Sequence, residues 1–158
     1  MPVKYRMYLL CGTFLALCLL TACGGDAKVS DQAFEGVVND YEGVTMTAVE
    51  GTAHPGTVTV EILNTTDQDI ESGNEYDFAL QKEMNGTWYW LQTKQDEYAN
   101  TAEALLYPEN ETVTQKLTWA NVYGSLDKGH YRVVKAFFEY GGPGDSVDFL
   151  LAAEFDIE

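Results

Sequence analysis

A period-two alternation of apolar and polar residues constrains the fold of this chain more than any other feature of its sequence. Residues 57–64 are the clearest case, because Val58, Val60 and Ile62 alternate with threonine and glutamate. This pattern is typical of a strand with one buried face. No long stretch carries the 3.6-residue apolar period of a capped amphipathic helix. The sequence therefore predicts a chain built from strands.

Turn signals divide the alternating region into about seven to eight strands. The strongest is Asn85-Gly86, since a type I′ hairpin needs positive φ at both central residues. The third strand is predicted to point Tyr76, Phe78 and Leu80 inward, after an exposed loop at residues 65–75. The predicted strands are residues 44–49, 57–64, 76–83, 87–92, 112–119, 130–140 and 146–157, with an ambiguous segment at 102–107. Short strands joined by turns, without βαβ alternation, predict an all-β antiparallel β-sandwich.

The first 22 residues have the organisation of an export signal. Lys4 and Arg6 precede an apolar run at residues 7–20. This run is shorter than the about 20 apolar residues that a membrane-spanning helix needs. A basic start, an apolar middle and a small-residue exit predict a signal peptide that is removed from the mature protein.

The end of this signal matches a lipobox, the cleavage and lipidation signal of bacterial lipoproteins. Leu20, Thr21 and Ala22 precede Cys23, whose thiol would be alkylated with a diacylglyceryl group. Two or more buried acyl chains give stable anchoring where one is marginal. The alternative is an ordinary secretory signal in which Cys23 is incidental. The lipobox places the protein on the extracytoplasmic face of the cell membrane, held by lipid.

The mature chain that this cleavage would leave is acidic and free of thiols. Cys11 and Cys18 lie inside the signal, and Cys23 would carry the lipid. Its seven basic residues against 25 acidic ones give a net charge of −18, compared with −16 for the whole sequence. Nucleic acid is excluded as a partner, because a phosphate-binding surface must be basic. The remaining chain divides into a lipidated, flexible tether at residues 23–40 and one domain at 41–158.

The residues that could carry chemistry do not form a catalytic or metal-binding pattern. His54 and His130 are distant in sequence and have no cysteine partner for zinc. Asp67, Asp69 and Glu71 alternate as in a calcium loop, but the glycine that such a loop needs is missing. We therefore expect no catalytic residues, no metal site, no cofactor and no enzymatic activity.

One aromatic strand is the candidate binding surface. Trp88 and Trp90 fall on one face of residues 87–92, and Tyr89 and Leu91 fall on the other. Two alternatives remain for this strand. Either the tryptophans pack against side chains of neighbouring strands, or they are exposed for a partner or glycan.

Several motifs resemble a bacterial immunoglobulin-like domain, a family found in small lipoproteins and extracytoplasmic modules, mostly of Firmicutes. Gly129-His130-Tyr131-Arg132-Val133 is similar to the tyrosine corner that opens strand F of such sandwiches, with Val133 where an antibody domain has its second cysteine. The other matching segments are Val44-Thr45-Met46, Asn64-Thr65-Thr66, Gly86-Thr87-Trp88-Tyr89, Leu117-Thr118-Trp119, Tyr123-Gly124 and Ala153-Glu154-Phe155. The resemblance covers residues 41–158 and implies the fold and the compartment, without catalytic residues.

Two functions follow as expectations. The first is a membrane-anchored lipoprotein that displays an immunoglobulin-like interaction or structural domain at the cell envelope, with an envelope protein or glycan as partner. The alternative is a ligand-binding or sensory lipoprotein that recognises a glycan, a peptide or calcium through the aromatic strand or the acidic loop.

Overall fold

The computed structural model describes residues 26–94, 103–140 and 146–158. These residues form ten strands and no helix. The strands are β1 (Lys28–Ala33), β2 (Val44–Ala48), β3 (Thr57–Asn64), β4 (Ile70–Ser72), β5 (Ala79–Met84), β6 (Thr87–Gln92), β7 (Leu105–Tyr107), β8 (Glu111–Thr118), β9 (Gly129–Tyr140) and β10 (Ser146–Ile157).

The strands pair into two antiparallel sheets. The smaller sheet has the order β2–β3–β8, and the larger has the order β1–β6–β5–β9–β4–β7. β9 organises the larger sheet, because its full length pairs with β10 on one edge. Its other edge is shared by β5 and then β4. The predicted all-β, immunoglobulin-like antiparallel sandwich is confirmed, with ten strands in the described residues rather than seven to eight.

A single apolar core lies between the two sheets. The inward face of β3 is the one predicted from its alternation, since Val58, Val60 and Ile62 are fully buried. Trp119, immediately after β8, stacks on Phe155 of the larger sheet at 5.6 Å between ring centroids. The small and large sheets therefore meet through side chains that the period-two pattern selects.

The hairpin between β5 and β6 also forms as predicted. Asn85 and Gly86 have φ angles of 55° and 80°, and Met84 pairs with Thr87 across the turn. Both angles lie in the left-handed region that Asn and Gly tolerate, so the turn chemistry sets the register of the two strands.

The third predicted strand starts three residues later than expected. β5 begins at Ala79, and Tyr76 is 46% exposed instead of pointing inward. The expectation of Leu80 as a core residue is correct. Residues 73–77 leave the strand direction because their carbonyl groups turn towards the ammonium group of Lys135.

The loop predicted at residues 65–75 contains a buried strand. β4 pairs with both β7 and β9, and its Ile70 is fully buried. The ambiguous segment before Pro108 is β7, a strand. Both elements have three residues, which is too short for an alternation to be recognised in the sequence.

The prediction of a flexible tether at residues 23–40 is also wrong for the part that the structure describes, from residue 26 onward. β1 lies within it and pairs with β6, with Lys28 opposite Gln92. Its side chains are mostly polar, so the pairing rests on backbone hydrogen bonds that no apolar pattern announces.

After β1 the chain crosses the outer face of the larger sheet, the face turned away from the core. The Phe34 N–H donates to the Trp88 carbonyl on the β6 side. Asn39 then exchanges hydrogen bonds with the backbone of Ala152 on β10, at 2.8 and 3.1 Å. Residues 34–40 thus form a strap across the sheet.

Candidate functional site

The structure locates only part of the predicted site. Leu20, Thr21, Ala22 and Cys23 lie outside the described residues. Trp88 and Trp90 lie on the outer face of the larger sheet. Side chains alternate between the two faces of β6, and Leu91, on the opposite face, points into the core. Both tryptophan side chains are half-buried, as is Tyr89.

The tryptophans belong to a cluster of rings and cations that we call the outer-face cluster. It consists of Phe34, Trp88, Trp90, His130 and Arg132. The guanidinium of Arg132 lies 4.3 Å from the Trp88 ring centroid and 5.0 Å from that of Phe34. Phe34 meets Trp90 edge-on at 5.3 Å, and His130 lies 5.4 Å from Trp88. The strap therefore covers part of the aromatic strand by inserting Phe34.

Arg132 is the centre of this cluster, although the sequence reasoning did not select it. Its side chain is 5% exposed, and its Nε donates to Gln81 Oε1 at 2.6 Å. Burial lowers the pKa of Arg132, and the carboxylate of Glu154 opposes this change. A guanidinium remains charged in proteins, so the rings of Trp88 and Phe34 face a permanent cation.

His130 extends the cluster towards two carboxylates on β10. Its Nδ1 lies 2.8 Å from Asp156 Oδ1, and its Nε2 lies 3.3 Å from Glu154 Oε2. Burial alone lowers the pKa of His130, but the hydrogen bonds with Asp156 and Glu154 outweigh it and raise the pKa above 6.5. The imidazolium form is therefore stabilised on this face.

We expect Asp156→Asn to lower the pKa of His130, because the closer of its two carboxylates loses its charge. Because folding raises the pKa of His130, the protonated imidazole contributes to the free energy of unfolding, fully so below pH 6.5. This contribution disappears as the pH rises through the pKa of His130 in the folded state. The exposed position limits it to about 0.5 kcal/mol. An NMR titration of the imidazole protons measures the change. Glu154→Gln, at the longer distance, should have a smaller effect, and an unaltered pKa in Asp156→Asn would contradict the assignment.

A second buried cation, Lys135, lies on the inward face of β9. It is 1% exposed, and its Nζ donates to the carbonyl groups of Gly73, Asn74 and Asp77 at 3.1, 2.7 and 3.0 Å. Burial lowers its pKa to about 8, while the nearby Asp77 acts in the opposite direction. The three N–H donors of the ammonium group are matched by three carbonyl acceptors, which is the arrangement of a structural cap for the 73–77 turn.

Two large open clefts lie among the described residues, and the first borders the outer-face cluster through Glu154 and Asp156. One, of about 770 Å³, lies between the β2–β3 connection and the end of β10, and includes Glu50, His54 and Asp156. The other, of about 500 Å³, lies between β7 and β8, where Tyr76 and Leu106 are exposed. Neither cleft brings a nucleophile into contact with a base among its lining residues.

The described residues offer no metal centre. Within 26–94, 103–140 and 146–158, no three His, Cys, Asp or Glu side chains are grouped to hold a metal ion. Asp69 of the acidic loop instead accepts a hydrogen bond from the Glu109 N–H at 3.1 Å. In the same part of the chain, no helix has the length and apolar character required to cross a bilayer.

Comparison with known proteins agrees with the architecture. The family model described as "Bacterial Ig-like domain" matches residues 40–156, which is most of the chain and nearly the whole described sandwich. No curated protein and no solved structure matches the chain. The family match and the two-sheet fold lead to the same assignment, and the chain belongs to the bacterial immunoglobulin-like domain family.

Proposed function

We propose that this protein is a lipid-anchored extracytoplasmic protein that displays a non-catalytic, immunoglobulin-like domain as a structural or interaction module at the cell envelope. The observation that carries the proposal is the order of two features along the chain. The motif Leu20-Thr21-Ala22-Cys23 ends an export signal, and a bacterial immunoglobulin-like domain follows at residues 40–156.

The geometry of the sandwich supports an interaction role over catalysis. The cations that the fold buries, Arg132 and Lys135, contact aromatic rings, an amide oxygen and backbone carbonyl groups. These contacts stabilise the fold and leave neither group directed at an open cleft. The exposed apolar side chains Tyr76 and Leu106 flank the cleft between β7 and β8, where a partner could bury them.

Mass spectrometry of the mature N-terminus tests the anchor. In the native bacterium we expect the first residue of the mature protein to be Cys23, carrying a diacylglyceryl group, and the protein to partition into a detergent phase. Cys23→Ser should abolish both results. Cys18→Ser, inside the signal, is the matched control and should change neither. A mature protein that begins at an unmodified Cys23 would establish the ordinary secretory alternative instead.

The non-catalytic role has its own test. Purified Cys23→Ser protein should not turn over ester, peptide or glycan substrates above the rate of a heat-denatured sample. A reproducible turnover that a point substitution in one of the two clefts removes would contradict the proposal.

A further inference from the structure

The first described residue, Asp26, is already fastened to the sandwich. Its Oδ2 accepts a hydrogen bond from Lys94 Nζ at 2.5 Å, and its Oδ1 accepts one from the Ser125 N–H at 2.5 Å. The Ala27 N–H donates to the Ser125 carbonyl at 3.1 Å, and β1 begins at Lys28. The chain is therefore held to the sandwich from Asp26 onward, ahead of the predicted domain boundary at residue 41.

The surroundings of Asp26 are shaped to receive it. Gly124 has a φ of +93°, and a Cβ added there would lie 2.2 Å from Asp26 Oδ1. The backbone angle favours glycine, and any side chain there would displace the Asp26 carboxylate from its present position. Hydrogen bonds from the Lys94 side chain and the Ser125 backbone lower the pKa of Asp26, so its carboxylate stays ionised and paired.

In the sequence, Gly24 and Gly25 separate Cys23 from this attachment point. Three peptide units of about 3.8 Å limit the distance between the Cα atoms of Cys23 and Asp26 to about 11 Å. A flexible segment of residues 24–40 would have allowed a root-mean-square separation of about 23 Å. The headgroup layer on each side of a bilayer is about 5–7 Å thick. The start of β1 is thus within reach of the headgroups.

The surface beside this start is polar and exposed. We call Asp26, Lys28, Gln92, Thr93 and Lys94 the anchor-side patch; all five residues are exposed. It carries two lysines and one carboxylate in a chain whose mature part is strongly acidic. Among the residues that the structure describes, the large exposed apolar side chains all lie outside it, namely Val37, Leu63, Tyr76, Met84, Leu106 and Val147. Such a surface suits contact with phospholipid headgroups without insertion into the hydrocarbon.

We propose that the lipid on Cys23 holds the anchor-side patch against the phospholipid headgroups, so that this end of β1 and β6 is the membrane-facing surface of the domain. The proposal rests on the lipidation of Cys23 given under the proposed function. The β5–β6 turn at Asn85-Gly86 then lies at the far end of the same hairpin, about 20 Å further along the strands.

Site-specific fluorescence quenching tests this orientation, because the mature chain has no cysteine except Cys23. Gln92→Cys labels the patch and Met84→Cys labels the far end of the hairpin; both native side chains are exposed. The labelled, lipidated proteins are placed in vesicles of phosphatidylglycerol and phosphatidylethanolamine that contain a quencher on the headgroup. We expect quenching at Gln92→Cys to be at least twofold stronger than at Met84→Cys.

A lengthened linker supplies the control. Inserting about ten Gly and Ser residues between Gly25 and Asp26 leaves the Asp26 contacts in place and adds a flexible separation of about 18 Å. The difference between the two labels should then disappear. Equal quenching at both positions without the linker, or a difference that the linker leaves unchanged, would overturn the membrane-facing patch.

The two proposals fail in different ways. If the protein carries no lipid and does not bind vesicles, the lipoprotein assignment is wrong and the orientation falls with it. If the protein is lipidated and bound but both labels are quenched equally, only the orientation is wrong.

Discussion

Trp119→Ala is expected to lower the free energy of unfolding by about 3–5 kcal/mol, the largest effect of any single substitution proposed for this chain. Trp119 is fully buried and stacks on Phe155 across the two sheets. Its Nε1 also donates to the Pro55 carbonyl at 3.0 Å, which ties the end of β8 to the turn before β3. Alanine would remove both contacts and leave a cavity. Urea denaturation measures the loss as a lower midpoint at constant slope.

Trp119→Phe separates the two contributions. Phenylalanine retains an aromatic ring against Phe155 but cannot donate to Pro55. We expect it to cost about 1–3 kcal/mol, mostly from the smaller ring and the lost indole hydrogen bond, since the Pro55 carbonyl still accepts from the Leu126 N–H at 2.9 Å. If Trp119→Ala lowered the free energy of unfolding by less than about 1.5 kcal/mol, neighbouring side chains would have to fill the space of the missing ring. This result would contradict the tight packing of Trp119.

Lys135→Met is expected to lower the free energy of unfolding by about 1–3 kcal/mol, although it replaces a buried charge with an apolar side chain. Removing the charge relieves the penalty of burying an ammonium group. However, the Asp77 carbonyl would lose its donor, at about 1–3 kcal/mol, whereas the Gly73 and Asn74 carbonyls keep hydrogen bonds from Ser72 Oγ and the Asp77 N–H. The orphaned Asp77 carbonyl and the loss of the shared ammonium donor outweigh the relieved charge. Differential urea denaturation of variant and wild type measures the result.

Lys116→Met is the matched control for this substitution. Lys116 is an exposed lysine on β8, so its replacement should change stability by no more than about 0.5 kcal/mol. If Lys135→Met were as stable as wild type, the 73–77 turn would be satisfied by water instead of by the lysine.

The pH dependence of stability gives an independent measure of the same group. Below pH 8 Lys135 is protonated in both the folded and the unfolded chain, so its burial penalty is fully present. Between about 8 and 10.5 the unfolded chain binds more protons, and the contribution of Lys135 to stability therefore rises with pH. The difference in stability between wild type and Lys135→Met should grow from pH 8 to pH 10. Above pH 10 the raised pKa values of Tyr41, Tyr107 and Tyr123 act in the opposite direction.

The strands that the sequence predicted well are those with one buried face and several repeats of the apolar–polar alternation. β3, β6, β9 and β10 lie close to their predicted bounds, since burial on a pleated strand repeats every two residues. β1 was missed for the opposite reason. It is an edge strand that is held by backbone pairing with β6, and backbone groups are the same at every position.

Lys135 shows how much of the placement of a buried cation the alternation along a strand can predict. Lys135 shares its parity with the core residues Tyr131, Val133 and Phe137, so the pattern already places it on the inward face of β9. The pattern does not indicate which groups accept hydrogen bonds from the buried ammonium group. The carbonyl groups that accept its hydrogen bonds come from residues about 60 positions earlier, and only the pairing of β9 with β4 and β5 brings them there.

The outer-face cluster likewise combines a face that the alternation predicts with contacts from residues distant in sequence. Trp88 and Trp90 were correctly placed on one face of their strand, and their potential as a binding surface stays a prediction. The rings that could have formed a bare aromatic surface are instead packed with Arg132, His130 and Phe34. Phe34 comes from the strap, whose course across the sheet no local sequence signal indicates.

The sequence by itself determined the elements that depend on neighbouring residues: the faces of the long strands, the Asn85-Gly86 turn and the sandwich class. It also predicted the lipidation signal at Cys23. The tertiary structure alone decided which strands pair, how Lys135 is satisfied and that the chain is fastened to the domain from Asp26 onward. The physical reason is that these contacts join groups far apart in the chain. Their energies come from backbone hydrogen bonds and desolvated charges, which gain meaning only once the two sheets have closed over one core.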